Sequence, residues 1–202
     1  YLQHRKVDVV SSALDFILPF EKYKITAGAK VSFTNTRNGI NYDTSDPTLV
    51  QDDYFRYKEQ IYALYADYSR EFSERFSMQL GLRMEHTRTT GISEAKDTED
   101  KHDYTRLFPT VYLLYSPTDG HALNFSFSNR ISRPSQNMVN PFPFYQNKYT
   151  YACGREDLKP SYTYNAELGY TLKNNFNVSA YYSYSDDVFF QVCLLYTSPS
   201  PR

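Results

Sequence analysis

The sequence has no tryptophan, only two cysteines, and no uninterrupted apolar run approaching the roughly eighteen residues that a membrane-spanning helix requires. The missing run excludes insertion by helices but says nothing against strands, which cross a bilayer with one apolar face each. Cys153 and Cys193 permit at most one disulfide and offer no metal-ligand spacing. Charge of one sign is lacking too. Basic residues number 22 against 23 acidic, a net charge of -1, and without a basic stripe nucleic acid is not an expected partner. The four histidines, His4, His86, His102 and His121, pair with no nucleophile or second ligand in any motif. No catalytic residue, metal or cofactor is therefore expected. Tyr1 to Lys6 lack the apolar core and cleavage site of a secretory signal, so the natural amino terminus is expected to lie upstream.

Aromatic side chains are what the sequence has in abundance. Tyrosine occurs 21 times and phenylalanine 14 in 202 residues, yet mean hydropathy is only -0.63. A soluble sandwich can combine these properties. A transmembrane barrel must, because each strand shows one face to lipid and the other to a polar interior, with aromatic girdles at both interfaces.

Side chains two apart along a strand share a face, so strict alternation of apolar and polar residues predicts strands. Phe76, Met78, Leu80, Leu82 and Met84 alternate with Ser77, Gln79, Gly81 and Arg83. Leu123, Phe125 and Phe127 repeat the pattern, as do Tyr164 to Leu172, Phe176 to Tyr184 and Tyr23 to Phe33. Eight strands are predicted, near residues 6–18, 22–34, 57–70, 75–90, 104–116, 121–131, 161–173 and 175–187. About thirteen residues at roughly 3.3 Å each, tilted about 45°, rise about 30 Å, the thickness of a hydrocarbon core. Short links at Pro19 to Glu21, Glu71 to Glu74, Pro117 to Gly120 and around Asn174 alternate with long ones at Asn35 to Arg56, Gly91 to Asp103 and Ser132 to Pro160. Tight periplasmic turns and long extracellular loops have this arrangement. The expected fold is an all-β, antiparallel transmembrane barrel, here a partial one of about eight strands. Lys30, Arg83, Glu85 and Glu167 fall on its interior face, which must then be wet.

The last residues, Cys193 to Arg202, read CLLYTSPSPR and resemble the translated end of a sequencing-library adapter. Two segments are accordingly expected, a barrel fragment over 1–192 and an adapter-derived tail over 193–202.

From about Ile61 to Gln191 the chain resembles the outer-membrane β-barrel family found in Bacteroidota, related to the barrels of TonB-dependent receptors. The strings carrying the resemblance are RISRPS at Arg130 to Ser135, NPF at Asn140 to Phe142, and DLKPSYTYNAELGY at Asp157 to Tyr170. Where family members commonly show Asn and Pro after the glycine, this chain has Arg155 and Glu156 following Gly154. The resemblance implies a barrel of about 22 strands, a plug domain, and a TonB-type energy-coupling complex as partner, with outer-membrane lipids around the wall. Transport by receptor and barrel is the function it implies. A small structural or adhesive barrel of eight strands, or an outer-membrane enzyme whose catalytic residues lie elsewhere, are the alternatives.

The loop Ser132 to Pro160 concentrates Phe142, Phe144, Tyr145, Tyr149 and Tyr151 among asparagines. Such rings suit stacking on a sugar or another amphipathic extracellular ligand; they equally suit packing of the loop or a place in the outer girdle. Arg130 and Arg133 at the rim suit an anionic ligand or lipopolysaccharide phosphate, or else pairing with lumen carboxylates. The acidic stretch Glu94 to Asp103 matches no calcium loop and reads as solvated.

Overall fold

The computed structural model of the chain describes residues 2–41, 53–93, 98–140, 144–147, 150–155, 157–173 and 175–192. They form β1 (Leu2–Pro19), β2 (Tyr23–Asn41), β3 (Asp53–Ser73), β4 (Phe76–Ser93), β5 (Thr98–Tyr115), β6 (His121–Ser132), the single-turn helix α1 (Gln136–Val139), β7 (Phe144–Asn147), β8 (Thr150–Ala152), β9 (Ser161–Leu172) and β10 (Phe176–Asp186). Eight strands make one antiparallel sheet in the order β1-β2-β3-β4-β5-β6-β9-β10, and β7 pairs only with β8. All eight predicted strands are present. Among the described residues β1 and β10 have one strand neighbour each, so the sheet is an open arc of barrel wall. Eight strands closing on themselves, one alternative from the sequence, is not what forms.

Register turns the alternation into two continuous faces. Leu14, Ala29, Leu64, Met84 and Leu107 are successive cross-strand partners, and so are Phe16, Ala27, Ala66, Leu82 and Pro109. Nothing among the described residues covers this band: Leu64 remains 56% exposed and Leu107 54%. In water such a continuous apolar surface is an association hazard, whereas lipid solvates it. Aromatic rings bound the band on both sides. Phe20 stacks on Tyr23 at 4.4 Å between centroids and Phe72 meets Phe76 at 5.3 Å on the short-turn side, while Phe33 meets Tyr62 edge-on at 5.9 Å on the other. The step from Phe72 to Tyr62, ten residues at about 3.3 Å and roughly 45° of tilt, rises about 23 Å, close to the apolar band of an outer-membrane barrel.

The opposite face is polar and laterally hydrogen-bonded. Tyr181 and Ser183 both donate to Asn165 Oδ1, at 2.6 and 2.8 Å. The Tyr65 phenol reaches Asp15 by crossing Gly28, which it partners in register. A Cβ on Gly28 would lie 2.5 Å from that ring, so only glycine lets the bond form. Lys30, Arg83, Glu85 and Glu167 all have the parity of this face.

Two long links differ from expectation. The strands run on through Asn35 to Asn41, Asp53 to Arg56, Gly91 to Ser93 and Thr98 to Asp103, leaving 42–52 and 94–97 outside the described residues. Most of the acidic stretch is thus strand, with Asp103 holding Arg88 and Glu99 holding Lys101. The reason is physical: beyond the membrane both faces are wet, alternation fades, and β-branched Thr34, Thr36, Thr87, Thr89 and Thr90 carry the ladder instead. Eighteen residues of β4 rise about 42 Å at the same tilt, well past the hydrocarbon. The tail assigned to 193–202 lies outside the described residues.

Candidate functional site: the lumen mouth

The ladder between β5 and β6 covers only Thr110–Tyr115 against Leu123–Ser128. It stops at Pro109, which has no N–H to donate. Beyond it the Asn129 amide donates to the Leu107 carbonyl at 3.4 Å. Tyr162 of β9, outward-facing by parity, is buried, stacked on lumen-facing Phe108 at 6.4 Å and beneath the Arg106 guanidinium at 4.9 Å. The upper ends of β6 and β9 therefore turn inward over β5, delivering the loop after Ser132 to the lumen wall.

Arg133 anchors that loop. Its Nη2 donates to Glu85 Oε1 at 2.7 Å and to Thr87 Oγ1 at 3.1 Å, and its Nε lies 3.6 Å from Glu59 Oε1, an ion pair too long for a hydrogen bond. Arg83 approaches the other oxygen of Glu85 at 3.2 Å. Glu85 is only 4% exposed and Thr87 fully buried. Burial alone would lower the Arg133 pKa, but the Glu85 hydrogen bond and charge outweigh it and hold it above its usual value. Glu59, above the upper girdle, is pushed up from its ordinary 4.5 by burial, opposed by Arg133. Burial likewise raises the Tyr104 phenol, which is hydrogen-bonded to Thr87 and Arg133.

Past Pro134 the chain turns into α1, where Ser135 O accepts Met138 N–H at 2.9 Å. Val139, 6% exposed, lines a small cavity together with Phe55, Tyr57, Gly91 and Ser93 of the lumen face. Asn137 Oδ1 accepts from Arg5 of β1 at 3.4 Å, so α1 reaches across the concave side to the far edge strand. The two limbs of the loop are stitched by Gly154 N–H to Asn140 O and Arg155 N–H to Met138 O, both 2.7 Å. A Cβ at residue 154 would sit 2.2 Å from the Met138 carbonyl oxygen. Substituting Gly154→Ala should therefore cost the docked loop about 1–3 kcal/mol, read as faster hydrogen exchange of the Gly154 and Arg155 amides. Unchanged exchange would count against the stitch. Arg155, where the sequence departs from the family pattern, forks onto Asp157, with Nε to Oδ1 at 2.9 Å, and this hydrogen bond holds the Asp157 carboxyl below its usual range.

The sequence-derived candidates are scattered by comparison. Arg133 is in the ion network just described, the carboxylate pairing the sequence allowed. Arg130 points from β6 with lumen parity, exposed, with no ion pair among the described residues. Tyr151 lies exposed on β8, and the backbones of Phe144 and Tyr145 form β7 opposite Ala152 and Tyr151. Phe142 and Tyr149 lie outside the described residues. Sequence reading missed Glu59 and Thr87 as members of the network, because nothing local marks a strand residue for a partner arriving from a distant loop.

An apolar outer band between aromatic girdles, a charged and hydrogen-bonded inner face and a loop folded onto it define the wall of an outer-membrane β-barrel. The chain belongs to the Outer membrane protein beta-barrel family, whose profile matches residues 2–199, and its place is the bacterial outer membrane. Its fold is similar to that of the copper transporter OprC (TM-score 0.64, 12% identity, 89% of this chain and 30% of that one). It is also similar to the ferric-catecholate import receptor Fiu of E. coli K12 (0.60, 12%, 91% and 31%) and the ferric yersiniabactin uptake receptor FyuA of Yersinia pestis (0.57, 16%, 92% and 29%). The chain thus spans about three tenths of the length of these proteins. No curated protein sequence matches it.

Proposed function

We propose that this chain is wall and extracellular surface of a TonB-dependent outer-membrane receptor that takes up a small ligand, without enzymatic activity of its own. The observation carrying this reading is the loop from Arg133 to Pro160 bolted onto the lumen face by buried charges. A loop held over the mouth of a wide, wet interior is what a gated receptor needs and an open pore does not. The similar structures are named as transporters and uptake receptors, in keeping with it. In this reading Phe142, Phe144, Tyr145, Tyr149 and Tyr151 offer stacking surfaces, and Arg130 a charge, to an amphipathic ligand at the mouth. A plug domain, contacted by a TonB-type complex, would occupy the concave inner face.

The test is genetic. The complete reading frame should encode a plug ahead of the barrel. Deleting the gene and disabling the energy-coupling complex should abolish growth on the same nutrient from a panel of iron chelates, copper and oligosaccharides. A frame without a plug, or growth defects that do not coincide, sinks the proposal.

A further inference from the structure

The outward face changes character abruptly above the apolar band. Because the strands tilt, a level line steps down the register from β1 to β5, and the next outward residues above Val10, Phe33, Tyr62, Met84 and Leu107 are the polar Asp8, Asn35, Gln60, His86 and Thr105. One outward position higher stand Lys6, Arg37, Lys58 and Arg88, four adjacent strands each presenting a cation, and Arg56 lies just above Lys58. Arg37 is the direct cross-strand partner of both Lys6 and Arg56. Like charges so placed repel and weaken the ladder, so an outside counter-charge is needed to offset them. Arg88 has one in Asp103 at 3.0 Å and Lys6 has Asp8 at 4.0 Å. Arg37, Arg56 and Lys58 have no ion pair among the described residues, and Arg37 and Lys58 are exposed.

We infer that Arg37, Arg56 and Lys58 form a binding site for the phosphates of phosphorylated lipid headgroups in the outer leaflet. The position supplies the argument: these cations sit immediately above the Phe33 and Tyr62 girdle, at headgroup depth, facing lipid. Guanidinium forks match phosphate oxygens geometrically, and a lysine adds a mobile point charge. The site concerns the outside of the wall and is independent of what passes through the lumen.

The test uses the intact barrel protein that contains this chain, purified in detergent, with bisphosphorylated lipid A added and bound lipid counted by native mass spectrometry. Neutralising one cation should weaken binding about fivefold, and the combined R37Q, R56Q and K58Q variant about a hundredfold. Lipid A stripped of both phosphates should bind the unaltered protein as weakly as lipid A binds the combined variant. K24Q, with lumen parity, should change nothing. Equal binding by the combined variant, equal binding of the dephosphorylated lipid, or displacement by equimolar inorganic phosphate overturns the site. Heat-modifiable gel mobility reports folding. If the combined variant does not fold, K58Q alone and a salt titration of the unaltered protein decide, and binding indifferent to both refutes the inference.

Discussion

Replacing Arg133 with leucine should release the Ser132 to Pro160 loop from the lumen wall. The substitution leaves Glu59 without its cation and Glu85, 4% exposed, with Arg83 alone at its other oxygen. Breaking a buried pair from one side typically costs about 3–5 kcal/mol. Because the Arg133 side chain itself keeps 22% of its exposure, the lower end, about 3 kcal/mol, is the expected loss for the docked loop. That raises the undocked population about a hundredfold, measurable as protease cleavage within residues 133–160 on intact cells. Arg133→Lys should fall between, since an ammonium keeps the charge but not the planar guanidinium whose Nη2 and Nε face Glu85 and Glu59. Arg130→Leu should change cleavage little.

The pH dependence has a defined sign. Glu59 titrates above its ordinary 4.5 when the loop is docked; a carboxyl raised on docking stabilises the docked state at low pH and loses that contribution as pH rises through the docked value. Removing Arg133 takes away the influence that lowers it. The R133L loop should therefore regain protection as pH is lowered. Cleavage indistinguishable between R133L and the unaltered protein at all pH values would remove the anchor from the account.

The second large effect concerns the outer band. Leu82 lies near its middle, paired with Ala66 and Pro109 and half exposed, so in the membrane its contact is hydrocarbon. Leu82→Arg should destabilise the intact barrel by about 2–4 kcal/mol, the range for a cation near the bilayer midplane, read from urea unfolding in lipid vesicles. Gln79, three residues away on the same strand, faces the concave trough lined by Lys24, Ser69 and Ser126. Gln79→Arg should cost less than about 0.5 kcal/mol, since that face meets water. Equal costs for the two would mean that the faces are assigned wrongly.

These expectations draw on different depths of information. Leu82 and Gln79 could be assigned opposite faces by counting along Phe76 to Met84, because a strand repeats every two residues and a half-buried strand writes that period into its composition. The same logic found all eight strands, and the aromatic loop with its flanking arginines could be named from its strings. It stopped short at Asn35 and Gly91, where hydrocarbon no longer dictates one face and hydrogen bonding alone continues the ladder.

Local period and composition, then, were enough to determine an all-β chain that crosses a membrane by strands, which side chains meet lipid, and at which end the loops lie. Tertiary structure alone decided that Arg133 pairs with Glu85 and Glu59, that Val139 and Phe55 line one cavity, and that Gly154 must lack a side chain beneath the Met138 carbonyl. Alternation is a property of neighbours along one strand, whereas these contacts join residues dozens of positions apart. They depend on register across several strands and on the break that Pro109 makes in one ladder, which turns two strand ends into the lumen.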